Sequence, residues 1–410
     1  MAQPNVLMVA IDSLRADALL GDHIDTPNTD AFAKTGAVFK QCVSSCTTTT
    51  PSFSSILTGC YPLKHGVRGL KGYRLSPSLT TMAEAFGNGG YSTHAEVTGP
   101  LFPQTGVLRG FDQANYRWAA KAGDLFFSWS ATLVEQMRSY VEPWFTLLHT
   151  WEVHRPYRSP PTFAPTKDKA GYEAAVTATD EHLAGLFEAA GDNTVVVVTG
   201  DHGEEYADSR VEAVLLGVTR RMRSKVKLGR WLPRLDDKLA GLEIGHGFAL
   251  HEHLIRVPLL IGGAGLPVCV VQDRVRHVDL FPTLAEICAL PAPLGVDGRS
   301  LRPLMDGGLL PQEPAYLEAL GVKLEERRIS GARTPPWKLL KPGGGKAALY
   351  RIDGERPDEK RNLYGRRDDV SAPLEEFISR INQTDAVSTS GMTDDEERYV
   401  EQHLRDLGYH

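Results

Sequence analysis

Residues 5–12 read N-V-L-M-V-A-I-D, an almost unbroken apolar run that ends in Asp12. A strand covered on both faces of a parallel sheet has this pattern, because neither face meets water. Similar apolar runs recur at 145–148, 195–198 and 257–261, and residues 172–189 have apolar positions at helical spacing. Strands that alternate with helices predict an α/β fold with a doubly wound, mostly parallel sheet flanked by helices.

Polar side chains stand at or just beyond the ends of these predicted strands. Asp12 ends the first run, His154 follows the second, and Asp201 and His202 follow the third. The carboxyl ends of parallel strands share one edge of the sheet, where ligands bind. Carboxylates and imidazoles are common ligands of divalent cations. The sequence therefore predicts a metal site that includes Asp12, Asp201 and His202.

The threonine run at residues 47–50 and the segment after it resemble a known nucleophile motif. In the sulfatase-like branch of the alkaline phosphatase superfamily the pattern is Cys-x-Pro-Ser-Arg, followed by Thr-Gly-x-Tyr-Pro. The matching positions here are Pro51, Ser52, Thr58, Gly59, Tyr61 and Pro62. The cysteine position holds Thr49 and the arginine position holds Phe53. Formylglycine, the sulfatase nucleophile, is made from cysteine or less often serine, so a threonine cannot supply it.

Further segments extend the resemblance from residue 5 to about residue 363. The matches to the two metal motifs of the superfamily are Asp12, Leu14, Arg15, Asp17, Asp201, His202 and Gly203. Typical sulfatases often have asparagine at the position of His202, whereas phosphomonoesterases, phosphodiesterases and phosphonate monoester hydrolases have histidine. The resemblance implies an alkaline-phosphatase-like fold and favours phosphorus over sulfur as the reacting centre.

The resemblance also implies a ligand set of Asp12, Thr49, Asp201 and His202 around a divalent cation. We expect one ion, which could be Mn, Zn, Ca or Mg. A second ion would require His154 as a ligand together with His246, and we do not favour it.

Thr49 is the expected nucleophile. A threonine hydroxyl is weakly nucleophilic at neutral pH, and coordination to a dication stabilises its alkoxide. Attack on the ester would give a phospho-threonine, which water would then hydrolyse. Thr48 and Thr50 are rivals for this role. A structural role is also open, in which Thr49 caps a helix predicted over residues 52–57.

Two histidines are the expected proton donors to the leaving group. His154 lies in a segment that resembles His-x-Pro-Tyr of the family, and His246 in one that resembles the His-Gly segment of its phosphatase-like members. Histidine can deliver a proton near pH 7. His251 and Arg68 are weaker candidates for substrate binding, since two cationic contacts of a sulfate pocket are missing.

The predicted function is metal-dependent hydrolysis of a small anionic ester, namely a phosphodiester or a phosphonate monoester. Two alternatives use the same scaffold: a sulfatase that works through unmodified Thr49, and a transferase that passes the phospho group to an alcohol. A binding protein without activity is a further alternative, which a lack of bound dication and of stimulation by metal ions would favour.

Composition excludes several other classes. The chain has 410 residues, of which 42% are hydrophobic, and its net charge of −6 gives no bias toward nucleic acid. The five cysteines lack metal-ligand spacing and are expected to be reduced thiols. The N-terminal residues lack a signal-peptide pattern, and no run approaches the roughly 18 apolar residues of a membrane span. We expect a cytoplasmic enzyme and leave homo-oligomerisation open.

The chain is predicted to have three parts. Residues 1–310 form the catalytic domain, 311–365 a small subdomain with an antiparallel sheet, and 366–410 a charged helical tail, expected to be a solvated helix docked on the surface. An insertion at 208–242 is rich in lysine and arginine. It could form a lid over the site, a basic helix on a membrane surface, or a solvated insertion.

Overall fold

The computed structural model describes residues 3–118, 124–126, 128–216, 218, 246–320, 328–353, 359–383 and 391–409. Within these ranges eight strands form one large sheet. They are β1 (Asn5–Ile11), β2 (Gly36–Val43), β3 (Ser92–Val97), β4 (Gln113–Tyr116), β5 (Trp144–Thr150), β6 (Thr194–Gly200), β7 (Arg256–Gly262) and β8 (Cys269–Arg276). Their order is β4-β3-β5-β1-β6-β7-β2-β8. The apolar run at residues 5–11 is thus a central strand, and β5 and β6 lie parallel to it on either side.

The side chains of β1 alternate between two buried cores. Val6, Met8 and Ala10 belong to one core cluster, and the odd-numbered residues between 7 and 11 belong to the other. Helices cover both faces: Thr49–Thr58 contributes to the first cluster and Lys169–Ala190 to the second. Because neither face of β1 meets water, the strand has no charged residue before Asp12.

Helices cover both faces of this sheet. In chain order, the helices of the described residues include Ala16–Leu20, Pro27–Ala33, Thr49–Thr58, Pro62–His65, Met82–Asn88, Trp129–Met137, Lys169–Ala190, Glu252–Ile255, Leu280–Ile287, Arg302–Met305, Asp368–Gln383 and Asp394–Asp406. The predicted α/β class, with a doubly wound and mostly parallel sheet, is confirmed. Among these helices, none is both long enough and apolar enough to cross a membrane.

One strand departs from the parallel arrangement. Residues 257–261 form a buried strand as predicted, but β7 is antiparallel to both β6 and β2. The apolar pattern of a buried strand carries no information about its direction, which the preceding connection determines. As a result, β7 starts at the edge of the sheet where β6 ends, and Gly203 N donates to Leu254 O at 2.8 Å.

A second sheet follows the large one. Its strands β9 (Ala315–Ala319), β10 (Ile329–Thr334), β11 (Trp337–Pro342) and β12 (Ala348–Arg351) are antiparallel, in the order β12-β11-β10-β9. The Asp368–Gln383 helix packs on this sheet through Leu374, Phe377 and Ile378. The expected small antiparallel sheet is confirmed, although β10 was not anticipated because I-S-G-A-R-T lacks an apolar pattern. The domain boundaries at 310 and 365 stay predictions.

The tail and the insertion are described only in part. The predicted helical tail consists of two helices, Asp368–Gln383 and Asp394–Asp406, on either side of residues that lie outside the described ranges. Of the insertion at 208–242, the structure describes residues 208–216 and 218, where Arg210 pairs with Asp168 at 3.4 Å. The remaining residues of the hypothesised lid lie outside the described residues.

Candidate functional site

The candidate site lies at the edge where the central parallel strands end. Asp12 directly follows β1, and Asp201 directly follows β6. His149 is the next-to-last residue of β5, the other neighbour of β1, and Asp12 N donates to Thr150 O at 3.0 Å. All three side chains are buried. The parallel register brings together groups that are far apart in sequence, as the strand-end pattern predicted for Asp12 and Asp201.

Asp12, His149 and Asp201 offer ligand atoms that all lie within 4.8 Å of one another. The Nδ1 atom of His149 lies 3.0 Å from Thr98 O, so this nitrogen donates to the carbonyl, and in the neutral imidazole Nε2 keeps the lone pair that a metal ion binds. His149 Nε2 and Asp201 Oδ2 are buried without a hydrogen-bond partner among the described residues. Unsatisfied acceptors of this kind fit a divalent cation, which carboxylate oxygens and an imidazole nitrogen can bind together.

The pKa values of Asp12 and Asp201 are shifted in opposite directions. Burial disfavours the ionised form of Asp12, but the His149 imidazole, whose Nε2 lies 3.3 Å from Asp12 Oδ2, and the nearby His154 and His202 outweigh it, so the pKa of Asp12 lies below its usual range. Burial, together with the charge of Asp12, raises the pKa of Asp201. Two buried carboxylates at this separation repel each other, and a cation between them would relieve the repulsion.

Thr49 directly contacts this group. Its Oγ1 atom donates to Asp12 Oδ2 at 3.0 Å, and its side chain is fully buried. Thr50 Oγ1 instead donates to Pro100 O at 2.6 Å. Of the rivals in the threonine run, Thr50 is therefore engaged elsewhere, and Thr49 is the residue hydrogen-bonded to Asp12.

The alternative structural role of Thr49 is wrong. The helix begins at Thr49 itself, and its N-cap is Thr48, which makes no side-chain capping hydrogen bond. The helix is fixed to the strand edge by Ser52, whose Oγ donates to Asp201 O at 2.6 Å. The first turn thus directs its free backbone N–H groups, which favour anions, toward the same edge as the carboxylates.

His202 lies beside Asp201. Its Nδ1 atom lies 2.8 Å from Gly203 O, and its Nε2 atom lies 3.4 Å from Asp201 Oδ2 with no hydrogen-bond partner in the described part of the chain. His202 is not one of the three residues whose ligand atoms all lie within 4.8 Å of one another, so its role as a ligand stays a prediction. The glycine of this motif is required by a close approach, because a Cβ atom at Gly203 would lie 1.9 Å from His253 O.

His154 and His246 face each other near the carboxylates, with ring centroids 5.0 Å apart. Burial lowers the pKa of His154 to about 3, against the opposing effect of Asp12. Burial also opposes protonation of His246, but the Glu204 carboxylate, 3.2 Å from Nδ1, raises the pKa of His246 above its usual value. Of the two imidazoles, His246 holds a proton more readily.

Two predicted substrate-binding residues are not part of this group. Arg68 makes a bidentate pair with the buried Glu318, at 2.7 and 2.8 Å. His251 is the N-cap of the Glu252–Ile255 helix, and its Nδ1 lies 3.6 Å from Glu359 Oε2. Both side chains pair with acidic residues that are distant in sequence. The local motifs gave no indication of these pairs. Their assignment to substrate binding stays a prediction.

Three residues of the site were missed. His149 has the same signal as Asp12, a polar residue at the end of a buried strand. Glu204 follows the Asp-His-Gly motif directly, and its Oε2 atom is buried without a partner in the described part of the chain. Tyr409 comes from the tail, and its hydroxyl lies 3.0 Å from His154 Nε2 and 3.4 Å from His246 Nε2. No local signal marked Tyr409.

Phe53 occupies the position that holds arginine in the sulfatase motif, and it makes a different contact. Phe53 is fully buried, and its ring packs edge-on against the His149 imidazole with centroids 4.8 Å apart. The aromatic contact holds the imidazole ring beside Asp12. Phe53 thus supports a side chain of the candidate metal site.

Comparison with known proteins agrees with this geometry. A family model described as Sulfatase matches residues 4–288. The ulvan-active sulfatase of Formosa agariphila is 25% identical over 383 residues, which cover 78% of this chain and 67% of that protein.

Solved structures share the fold. The phosphonate monoester hydrolase from Silicibacter pomeroyi superposes with a TM-score of 0.68 at 20% identity, covering 93% of this chain and 94% of its own. A protein solved with its substrate D-glucosamine-2-N,6-O-disulfate has a TM-score of 0.71 at 17% identity, covering 94% of this chain and 99% of its own.

Proposed function

Because the chain belongs to the sulfatase family and is an ester hydrolase, we propose that it cleaves a phosphodiester or a phosphonate monoester through Thr49. One observation carries the proposal: Thr49 Oγ1 lies 3.0 Å from Asp12 Oδ2, beside the group formed by Asp12, His149 and Asp201. A buried hydroxyl in contact with a carboxylate of a cation site is the arrangement that nucleophilic catalysis by an alcohol needs.

The proposal favours phosphorus over sulfur because position 49 holds a threonine and not the cysteine from which formylglycine is made. A threonine cannot be converted to an aldehyde, and the nearest cysteine in sequence, Cys46, is buried. Burial, with the Glu318 carboxylate nearby, holds the pKa of the Cys46 thiol well above its usual value. The chain therefore offers an alcohol as nucleophile, which is suited to forming a phosphate ester that water can later cleave.

The residues of the site have separate tasks in this mechanism. Asp12, Asp201, His149 and His202 would hold the cation. A divalent cation bound there supplies positive charge that lowers the pKa of the nearby hydroxyl and offsets the charge of the ester. The hydrogen bond from Thr49 to Asp12 fixes the direction in which the hydroxyl oxygen presents its free electron pairs.

Thr49 Oγ1 passes its proton to Asp12 Oδ2, which accepts its hydrogen bond, and forms a bond to phosphorus while the bond from phosphorus to the leaving oxygen breaks. The leaving oxygen keeps the electron pair and takes a proton from His246, whose protonated form Glu204 favours. In the second half, His246 accepts a proton from water as the water oxygen attacks the phospho-threonine, and Thr49 Oγ1 leaves and takes back its proton from Asp12. The two steps return every group to its starting state.

Sulfate ester hydrolysis through unmodified Thr49 is the second candidate. The observation that favours it is the similarity over 78% of this chain to a protein described as an ulvan-active sulfatase. Both candidates use the same nucleophile and differ in the atom that it attacks. Transfer of the phospho group to an alcohol other than water has no comparable support.

A substrate panel distinguishes the candidates. We would assay 4-nitrophenyl esters of phosphate, phenyl phosphate, phenylphosphonate and sulfate with Mn²⁺, Zn²⁺, Ca²⁺ and Mg²⁺, using wild type and Thr49→Ala. The proposal expects the diester and the phosphonate ester to turn over fastest and the variant to be inactive. A preference for the sulfate ester would support the second candidate. Full turnover by Thr49→Ala would reject both.

A further inference from the structure

The tail is anchored to the rim of the site. The Asp394–Asp406 helix begins with a capping box in which Thr393 and Glu396 satisfy each other's backbone N–H groups. Val400 and Leu404 on this helix share a buried cluster with Leu70 and Phe102, which follow the nucleophile helix in the chain. The helix is thus docked on the surface through its own small core.

Ion pairs support this docking from the same rim. Lys71 Nζ lies 3.0 Å from Glu401 Oε2, and Arg74 Nη2 lies 3.3 Å from Glu396 Oε1. These side chains are partly exposed, so each pair adds little free energy. Together with the apolar cluster, they fix the orientation of the helix relative to the site.

The end of the tail helix directs Tyr409 into the site. Gly408 has a φ of +91°, its N–H donates to Arg405 O at 2.9 Å, and Tyr409 N donates to Leu404 O at 2.9 Å. This pair of hydrogen bonds is the Schellman motif, in which a glycine in the left-handed conformation reverses the chain after a helix. Tyr409 and Leu404 also belong to the same apolar cluster, the contact that usually accompanies the motif.

The hydroxyl of Tyr409 lies between the two histidines that face the carboxylates. It is 3.0 Å from His154 Nε2 and 3.4 Å from His246 Nε2. Burial and the carboxylates of Asp12 and Glu204 raise the pKa of Tyr409 well above its usual value. The phenol thus remains a neutral hydrogen-bond donor.

We propose that Tyr409 is a catalytic residue of this site, whose phenol O–H donates a hydrogen bond to the leaving oxygen of the ester. This inference rests on the proposed function. A leaving oxygen that takes a proton from either histidine must come within about 3 Å of an Nε2 atom. The phenol oxygen lies within hydrogen-bonding distance of both atoms, so a leaving oxygen that approaches either histidine from the side of the phenol comes within reach of Tyr409.

The energetics favour a donor that acts late in the reaction. In the free enzyme the phenol O–H of Tyr409 can donate a hydrogen bond only to a neutral imidazole or to another weak acceptor. When the bond from phosphorus to the leaving oxygen breaks, the electron pair moves onto that oxygen and makes it a charged acceptor. Hydrogen bonds to charged acceptors are roughly twice as strong as neutral ones, so rotation of the O–H group toward the leaving oxygen stabilises the transition state more than the ground state.

Tyr409→Phe tests the proposal, because it removes the hydroxyl and keeps the ring. Its matched control is Tyr399→Phe on the same helix, where the side chain is 37% exposed. Both would be assayed on aryl phosphonate esters whose leaving phenols range from acidic to weakly acidic. With 4-nitrophenol we expect a loss in kcat of about threefold, and with unsubstituted phenol a loss of about a hundredfold. KM should change little, and the control should match wild type.

Several outcomes would overturn the proposal. An equal loss for all leaving groups would indicate that Tyr409 only supports the structure. Wild-type rates for Tyr409→Phe would show that the hydroxyl is not used. Faster turnover of every ester by Tyr409→Ala would show that the side chain blocks the site.

A binding measurement separates this inference from the proposed function. If the wild type cleaves no ester of the panel, the proposed function fails, and 4-nitrophenolate, whose oxygen carries the charge that the leaving oxygen acquires, then serves as the ligand for calorimetry. Tyr409→Phe should bind it about threefold to tenfold more weakly than wild type and Tyr399→Phe, as expected for one lost hydrogen bond. Equal affinity of all three proteins would overturn the role of Tyr409 independently of activity.

Discussion

His149 Nε2 lies 3.3 Å from Asp12 Oδ2, on neighbouring parallel strands. The opposite nitrogen of the imidazole is directed at Thr98 O, and Phe53 packs against the ring. The imidazole is thus fixed in the tautomer and orientation of a metal ligand before any ion binds. Since the sequence motifs implied only Asp12, Thr49, Asp201 and His202, His149 enlarges the ligand set.

His149→Ala should therefore reduce metal affinity by at least about a hundredfold, because it removes a preorganised ligand. Metal content after dialysis against graded chelator, measured by mass spectrometry, checks this. His182→Ala is the control, since its Nδ1 contacts Ser130 Oγ on two helices away from the strand edge. Equal metal content in the two variants would contradict the assignment.

Thr49→Val should lower kcat by at least about 10³-fold, because it keeps the shape of the side chain and removes the nucleophile. Thr49→Ser should retain measurable turnover, since the hydroxyl is kept. Thr50→Val is the matched control, because its hydroxyl donates to Pro100 O instead. Intact mass spectrometry of rapidly quenched enzyme should detect a phospho adduct in wild type and none in Thr49→Val. An adduct on another residue would reassign the nucleophile.

Glu204→Gln should shift the pH dependence of activity. The Glu204 carboxylate raises the pKa of His246, so its removal lowers that pKa. If protonated His246 is the proton donor, activity is lost as pH rises through this pKa, and the alkaline limb of kcat/KM moves to lower pH in the variant. Glu205→Gln is the control, since Glu205 pairs with the partly exposed His253. An unmoved alkaline limb would exclude His246 as the donor.

The same pair predicts a pH window for stability. The pKa of Glu204 is lowered to about 2 from 4.5, so its stabilisation is present above pH 4.5 and lost as pH falls toward 2. The pKa of His246 is raised above 6.5, so its stabilisation is present below pH 6.5 and lost as pH rises through the elevated pKa. Urea unfolding should therefore show the largest deficit of Glu204→Gln between pH 4.5 and 6.5. A deficit that does not vary with pH would contradict this.

Gly408→Ala should lower kcat while the protein stays folded. An alanine at a φ of +91° is strained by about 1 kcal/mol, which disturbs the turn that places Tyr409. The loss should again be largest for weakly acidic leaving phenols. Gly391→Ala is the control, because a Cβ atom there meets nothing within 4 Å and its φ is not positive. Equal kinetics for the two variants would argue that the turn is not needed for catalysis.

The two carboxylates of the site could be predicted from the sequence because the prediction needs only the order of strands and the edge at which they end. Asp12 and Asp201 end buried strands, and strand ends of a parallel sheet meet whatever the intervening sequence is. The same rule could have found His149, which lies next to the end of β5. The rule was applied instead to His154, which lies further along the chain and resembles the His-x-Pro-Tyr motif of the family.

Residues that depend on tertiary contacts could not be found this way. Arg68 and His251 have suitable chemistry, but the partners that engage them, Glu318 and Glu359, are far away in sequence. Tyr409 was hidden because the charges of the tail helix predict exposure, while its docking depends on a few apolar positions. A glycine followed by tyrosine directly after the helix was the only local trace of the turn.

The direction of β7 has a consequence for how this protein could diversify. Since β6 ends and β7 begins at the same rim, the chain leaves the sheet after Asp201 and re-enters it at Arg256 on the same side. The free energy of closing a loop between two such ends grows only slowly with its length. Natural variation or a laboratory library could therefore exchange residues 208–242, which contain none of the residues proposed for the site, and retune which esters are accepted while the sheet beneath keeps folding unchanged.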